Sequence, residues 1–201
     1  MAALDKHNFL KKTARTASPL TLYWGLTHLD RGFFVRCSLV VFLCFGLLGC
    51  LGSPDGVVAV QGFDSDRYLG KWYEVARLDH SFERGLSAVT AEYSMREDGG
   101  IRVINSGMSA ESGIREDAVG RAYFMGEETE GYLKVSFFGP FFGSYIVFEL
   151  GPDYQYAFVA GNTTQYLWLL SRSPKLSDDL KVRFIAQSAA LGFDTDALIF
   201  N

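Results

Sequence analysis

From Gly62 onward the chain is a succession of short runs in which apolar and polar residues alternate, each closed by a turn cluster, and no run is long enough for a helix until after Pro174. Alternation with period two sends successive side chains to opposite faces, which describes strands with one buried face. The runs are 72–77, 88–95, 101–107, 118–124, 132–138, 145–150, 156–160 and 166–171. That pattern predicts an all-β barrel or sandwich. Glu97-Asp98-Gly99-Gly100 and Gly151-Pro152-Asp153 are hairpin turns, so consecutive strands should pair antiparallel. Eight such strands closed as an up-and-down β-barrel leave an interior that either holds one small ligand or is filled by side chains.

Beyond the last run, Ser177 is a good N-cap, with Asp178 and Asp179 in a first turn whose dipole favours them. Val182, Ile185, Ala186 and Ala189 recur at helical spacing and Gly192 supplies the stop. We expect a C-terminal α-helix packed on the outside of the barrel by that stripe, and residues 193–200 returning along the wall.

The leader carries different information. Ser38 to Gly49 is about a dozen apolar or small residues, short of the roughly 20 that a spanning helix needs. Arg31 and Arg36 precede it and Gly52-Ser53-Pro54-Asp55-Gly56 breaks it, which suits a signal peptide better than an anchor helix. The segment resembles a bacterial lipoprotein signal whose four-residue lipobox is Leu47-Leu48-Gly49-Cys50. The resemblance implies lipid attachment at Cys50, cleavage before it, and, because Leu51 rather than an aspartate follows, an outer-membrane address with the domain facing the periplasm. An uncleaved helix or an ordinary signal peptide are the competing readings. Residues 1–29 make a long prelude and read as an over-called start. The expected organisation is a signal segment over 1–49, a lipid-anchored tether over 50–61 and the folded domain over 62–201.

Cys37, Cys44 and Cys50 all lie in that leader, so the folded domain has no disulfide and relies on its own core. After Cys50 there are 13 Lys plus Arg against 21 Asp plus Glu, a net charge of −8. That balance argues against a nucleic-acid partner.

Tyr68-Leu69-Gly70-Lys71-Trp72-Tyr73-Glu74-Val75-Ala76-Arg77 resembles the first-strand signature of the lipocalins, centred on Gly70 and Trp72. Gly151-Pro152-Asp153-Tyr154 and Arg172 are similar to two further family features. The resemblance implies structural roles: Trp72 plugging one end of the barrel and Arg172 covering its ring. Residues 79–85, 134–141 and 166–172 sharpen the likeness toward the bacterial outer-membrane lipocalins, kin of the apolipoprotein D group. It implies a lipid-anchored carrier of fatty acids or lysophospholipids, serving envelope maintenance under stress, with a homodimer as a further implied partner. No cofactor is expected.

Taking Trp72 as inward, the alternation places Glu74 and Ala76 inward on the first strand and Ala91 and Tyr93 on the second. The same parity gives Val103 and Asn105, then Phe124 with Ala122, then Val135 and Phe137. Tyr145 and Val147, and finally Tyr166 and Trp168, complete the candidate ligand-binding lining. An apolar, aromatic interior with a few hydroxyls and one amide is how a small-molecule pocket is built. Loops carrying His80, Phe82, Phe141 and Phe142 should rim the mouth.

Two rivals stay open. A passive envelope lipoprotein with a filled barrel would bind no lipid saturably. A lipid-modifying enzyme would have to work without a thiol and with His80 as the one histidine beyond Cys50, which leaves little for nucleophilic chemistry and no His and Cys cluster for a metal.

Overall fold

A computed structural model describes residues 51–201; the lipobox and Cys50 lie outside the described residues. The elements are α1 (Ser65–Tyr68), β1 (Gly70–Arg77), β2 (Leu86–Met95), β3 (Ile101–Ser109), β4 (Arg115–Phe124), β5 (Tyr132–Ser136), β6 (Gly143–Leu150), β7 (Tyr156–Ala160), β8 (Leu167–Ser171), α2 (Asp178–Ala190) and β9 (Ile199–Phe200). Each strand from β2 to β7 pairs antiparallel with the next, and β1 pairs with both β2 and β8, closing the barrel. The expected eight-stranded up-and-down barrel with an outer helix is what the chain forms, with β9 added against the outer end of β1.

Strand limits differ where pairing outruns the hydrophobic pattern. β4 begins at Arg115, three residues before the expected Ala118, because the polar residues Arg115–Asp117 still pair with β3 beyond the packed interior. β8 begins at Leu167, which leaves Tyr166 in the preceding turn.

The register of β1 against β8 slips between Glu74 and Ala76. This bulge reverses the alternation. Trp72 and Glu74 face inward as expected, but Ala76 packs with Val75 in the outer core, and Arg77 turns to pair with Glu74 instead. The inward assignment of Ala76 is therefore corrected.

Two cores result. Inside the barrel, Phe63, Trp72 and Val147 pack at one end with Tyr68, Ile101, Val103 and Leu133, which also border the space above them. Outside, Phe158, Phe184, Phe148 and Phe193 pack between the wall and α2. The helix begins and ends as the sequence predicts, with Ser177 Oγ accepting from the Leu180 amide at 3.4 Å and Gly192 at φ +83°. Its buried face is different. Phe184 and Ser188 are fully buried, with Leu180 and Leu191 beside them, while Val182 is 64% exposed and Ala186 and Ala189 also face solvent. One large ring seated in the curved wall outweighs a stripe of small side chains.

Candidate functional site

The closed end is built from the first strand's start. Gly70 has φ +87°, which favours glycine, and its missing Cβ would lie 3.5 Å from Arg172 Nη1. Trp72 is fully buried and donates through Nε1 to the Tyr68 carbonyl at 2.8 Å. The Arg172 guanidinium donates at 2.8 Å to each of the carbonyls of Arg67, Leu69 and Lys71, so the plug and its cover are locked to the backbone.

Above this plug lies a cavity of about 420 Å³, open at the other end. Ala91, Tyr93, Val103, Asn105, Val135, Phe137, Tyr145 and Trp168 all line it. Phe124 does not: it sits deeper, its ring 6.1 Å from Phe63 in the packed end. Tyr166 does not either. From its turn it stacks 6.2 Å from Phe82 and borders an outer groove with Asp79 and Thr164.

Toward the closed end, three tyrosine hydroxyls meet. Tyr145 Oη lies 2.6 Å from Tyr68 Oη and 2.9 Å from Tyr93 Oη. Burial raises the phenol pKa of all three, so they remain neutral. Three O–H groups joined by two hydrogen bonds leave one hydrogen free to donate. Higher in the wall, Asn105 Oδ1 and Ser136 Oγ are buried without a hydrogen-bond partner.

Nearer the mouth the bulge in β1 brings charges inward. Arg77 Nη1 lies 2.8 Å from Glu74 Oε1, both side chains being almost wholly buried. Arg77 Nη2 also donates to the Glu83 carbonyl at 3.2 Å, and Trp168 Nε1 donates to Glu83 Oε2 at 3.4 Å. Burial, and then the neighbouring Glu74, push Glu83 up to about 9, so it is protonated at neutral pH. Burial, reinforced by Arg77, lowers His80 to about 4, so its ring is neutral there. His80 stacks 4.0 Å from Phe82, with Nε2 3.4 Å from Glu83 Oε2 and Nδ1 buried without a hydrogen-bond partner.

Phe82, Phe138 and Phe141 border the opening at 53%, 78% and 60% exposure. Phe142 instead lies on the outer wall, 6.2 Å from Tyr123. Arg77 and Glu83 were not expected at the site, since strict alternation has no term for a bulge and a loop glutamate carries no inward signal. Tyr68 was expected only as part of the first-strand signature.

A family model described as a lipocalin-like domain matches residues 63–201. A protein named outer membrane lipoprotein Blc from Vibrio cholerae is 58% identical over 165 residues, covering 81% of this chain and 96% of the relative. Its namesake from Escherichia coli is 50% identical over 147 residues, covering 73% and 83%. Apolipoprotein D from Bos taurus is 32% identical over 155 residues, covering 68% and 80%. Among solved structures, insecticyanin from Manduca sexta superposes with a TM-score of 0.60 at 24% identity, over 75% of this chain and 86% of that one, a likeness of fold.

Proposed function

The chain belongs to the lipocalin-like domain family, and from that premise we propose that it is an outer-membrane lipoprotein that carries or stores single-chain lipids, fatty acids or lysophospholipids, within its barrel. The observation that carries the reading is the one-ended cavity of about 420 Å³ whose walls are mostly apolar. That volume falls in the range of about 300–1,000 Å³ typical of small-molecule sites. An acyl chain of about 16 methylenes gains roughly 13 kcal/mol on burial at about 0.8 kcal/mol per methylene, and association costs of about 4–15 kcal/mol leave micromolar affinity in reach.

The polar atoms in the wall orient the ligand. The three tyrosines, Asn105 and Ser136 line the cavity, while the Glu74–Arg77 pair and protonated Glu83 sum to no net charge. A filled, passive barrel fits less well than a cavity of this size. An enzyme fits less well still, because the neighbour of the His80 ring is the Glu83 carboxyl at 3.4 Å and, among the described residues, no hydroxyl or thiol is hydrogen-bonded to it as a nucleophile would be.

In this reading the mature chain starts at acylated Cys50 and faces the periplasm, where it serves the envelope under stress, alone or as a homodimer. Replacing Cys50 by Ala should release it from the membrane fraction. The carrier reading is tested by native mass spectrometry of the extracted mature protein and by titration of delipidated protein with a lysophospholipid below its micelle concentration. Co-purified lipid and saturation near one ligand per barrel are expected; absence of saturable binding by any single-chain lipid sinks it.

A further inference from the structure

The described chain begins at the mouth of the barrel. The Gly52 amide donates to Ser144 Oγ at 2.9 Å, and Ser144 is the second residue of β6, three positions after Phe141 in the β5–β6 loop. From there the segment is seated along the wall: Pro54, Val57 and Ala59 are buried, and Val60 exchanges backbone hydrogen bonds with Val147 and Gly131. Gly52 stands two positions after Cys50, a reach of about 7 Å at most. Acylation at Cys50 would therefore tether the chain to a membrane two positions before a residue hydrogen-bonded at the foot of the β5–β6 loop.

The rim is not uniform. On the β5–β6 side Phe138 and Phe141 are 78% and 60% exposed. Arg121 and Lys134 stand behind that loop, 5.7 Å and 5.3 Å from the Phe142 ring, and among the described residues neither is in an ion pair. The neighbouring β3–β4 hairpin exposes Ile114 among the carboxylates of Glu111, Glu116 and Asp117, and the β1–β2 loop across the mouth carries Phe82 beside the Asp79–Arg84 ion pair. Exposed aromatic rings backed by unpaired cations suit an apolar layer beneath anionic head groups, and carboxylates do not.

We propose that the β5–β6 edge of the mouth seats in the membrane leaflet that holds the anchor, with Phe138 and Phe141 immersed and the β3–β4 hairpin tilted away. The opening then faces the bilayer, and a lipid passes between leaflet and cavity without crossing bulk water. This rests on the carrier reading and on acylation at Cys50.

The test uses the full chain, processed and acylated in a Gram-negative host and reconstituted into vesicles of phosphatidylethanolamine and phosphatidylglycerol. A nitroxide is placed at Phe138→Cys, Phe141→Cys, Ile114→Cys on the β3–β4 hairpin, or Met95→Cys at the closed end. Labels at 138 and 141 should be reached by oxygen and shielded from a water-soluble nickel complex, with the reverse order at 114 and 95. Labels at 138 and 141 that lie in water, a label at 95 that lies in lipid, or protein that leaves the vesicles overturns the proposal. Uptake of a lysophospholipid by unlabelled protein, followed through Trp168 in the cavity wall, separates the two ideas. Saturable uptake with a rim in water sinks the docking alone, and a seated rim without uptake sinks the carriage alone.

Discussion

The Arg172 guanidinium lies 4.0 Å above the centroid of the Trp72 indole, joining the end of the last barrel strand to the start of the first. The stacking is worth about 0.5–2 kcal/mol, and the three carbonyls that Arg172 satisfies add to it. Arg172→Ala should cost about 2–4 kcal/mol in chemical denaturation, with lysophospholipid affinity altered less than about twofold. Arg172→Lys should restore little, because an ammonium cannot span three carbonyls and stack at once. A large affinity loss at unchanged stability would make Arg172 a ligand residue.

Glu83 and His80 set the pH dependence. The folded pKa of Glu83 is raised to about 9 from an ordinary value of 4.5, so the stability from its bound proton is complete below about 4.5 and lost as pH rises to about 9. His80 is lowered to about 4 from 6.5, so its neutral burial costs stability as pH falls through that interval. Between about 4.5 and 6.5 the two oppose each other. Above about 6.5 Glu83 acts alone, and Tm should fall steadily toward pH 9. Glu83→Gln should flatten that alkaline slope; an unchanged slope would remove Glu83 as its source.

The outer helix offers a paired test of packing. Phe184 is fully buried and meets Phe158 edge-on at 4.9 Å, so Phe184→Ala should cost about 3–5 kcal/mol. Val182, 64% exposed, should tolerate alanine within about 0.5 kcal/mol. Equal effects would mean that the helix rests on the stripe its sequence advertises.

Trp168 lines the cavity, whereas Trp72 is sealed in the closed end. Its emission should therefore report lipid binding, and Trp168→Phe should remove most of the change while saturable binding persists by a non-optical method. A signal that survives Trp168→Phe but disappears with Trp72→Phe would place the ligand elsewhere.

Most of the barrel could be read from alternation because one face of each strand is buried and parity is then unambiguous. Ala91, Tyr93, Val103, Asn105, Val135, Phe137 and Tyr145 fall where parity puts them. What was not legible depends on breaks in that period. The slip beside Val75 exchanges Ala76 for Arg77, and with it an apolar wall for a charged one. Tyr166 keeps the parity of Trp168 but lies beyond the end of its strand, and Phe124 keeps the parity of Ala122 but lies below the cavity. Parity fixes the face a side chain takes and not its depth along the barrel axis.

The double engagement of β1 has a consequence for how the molecule is assembled. Tyr73 pairs with Ser171, with 97 residues of chain between them. Hairpins such as β2–β3 can form locally, but the final seam waits for two distant segments to meet, the kind of non-local pairing that places β-rich domains among the slower folders. Until that seam closes, the free edges of β1 and β8 are open templates for another chain, so the interval between export and closure is when this protein is most prone to aggregate.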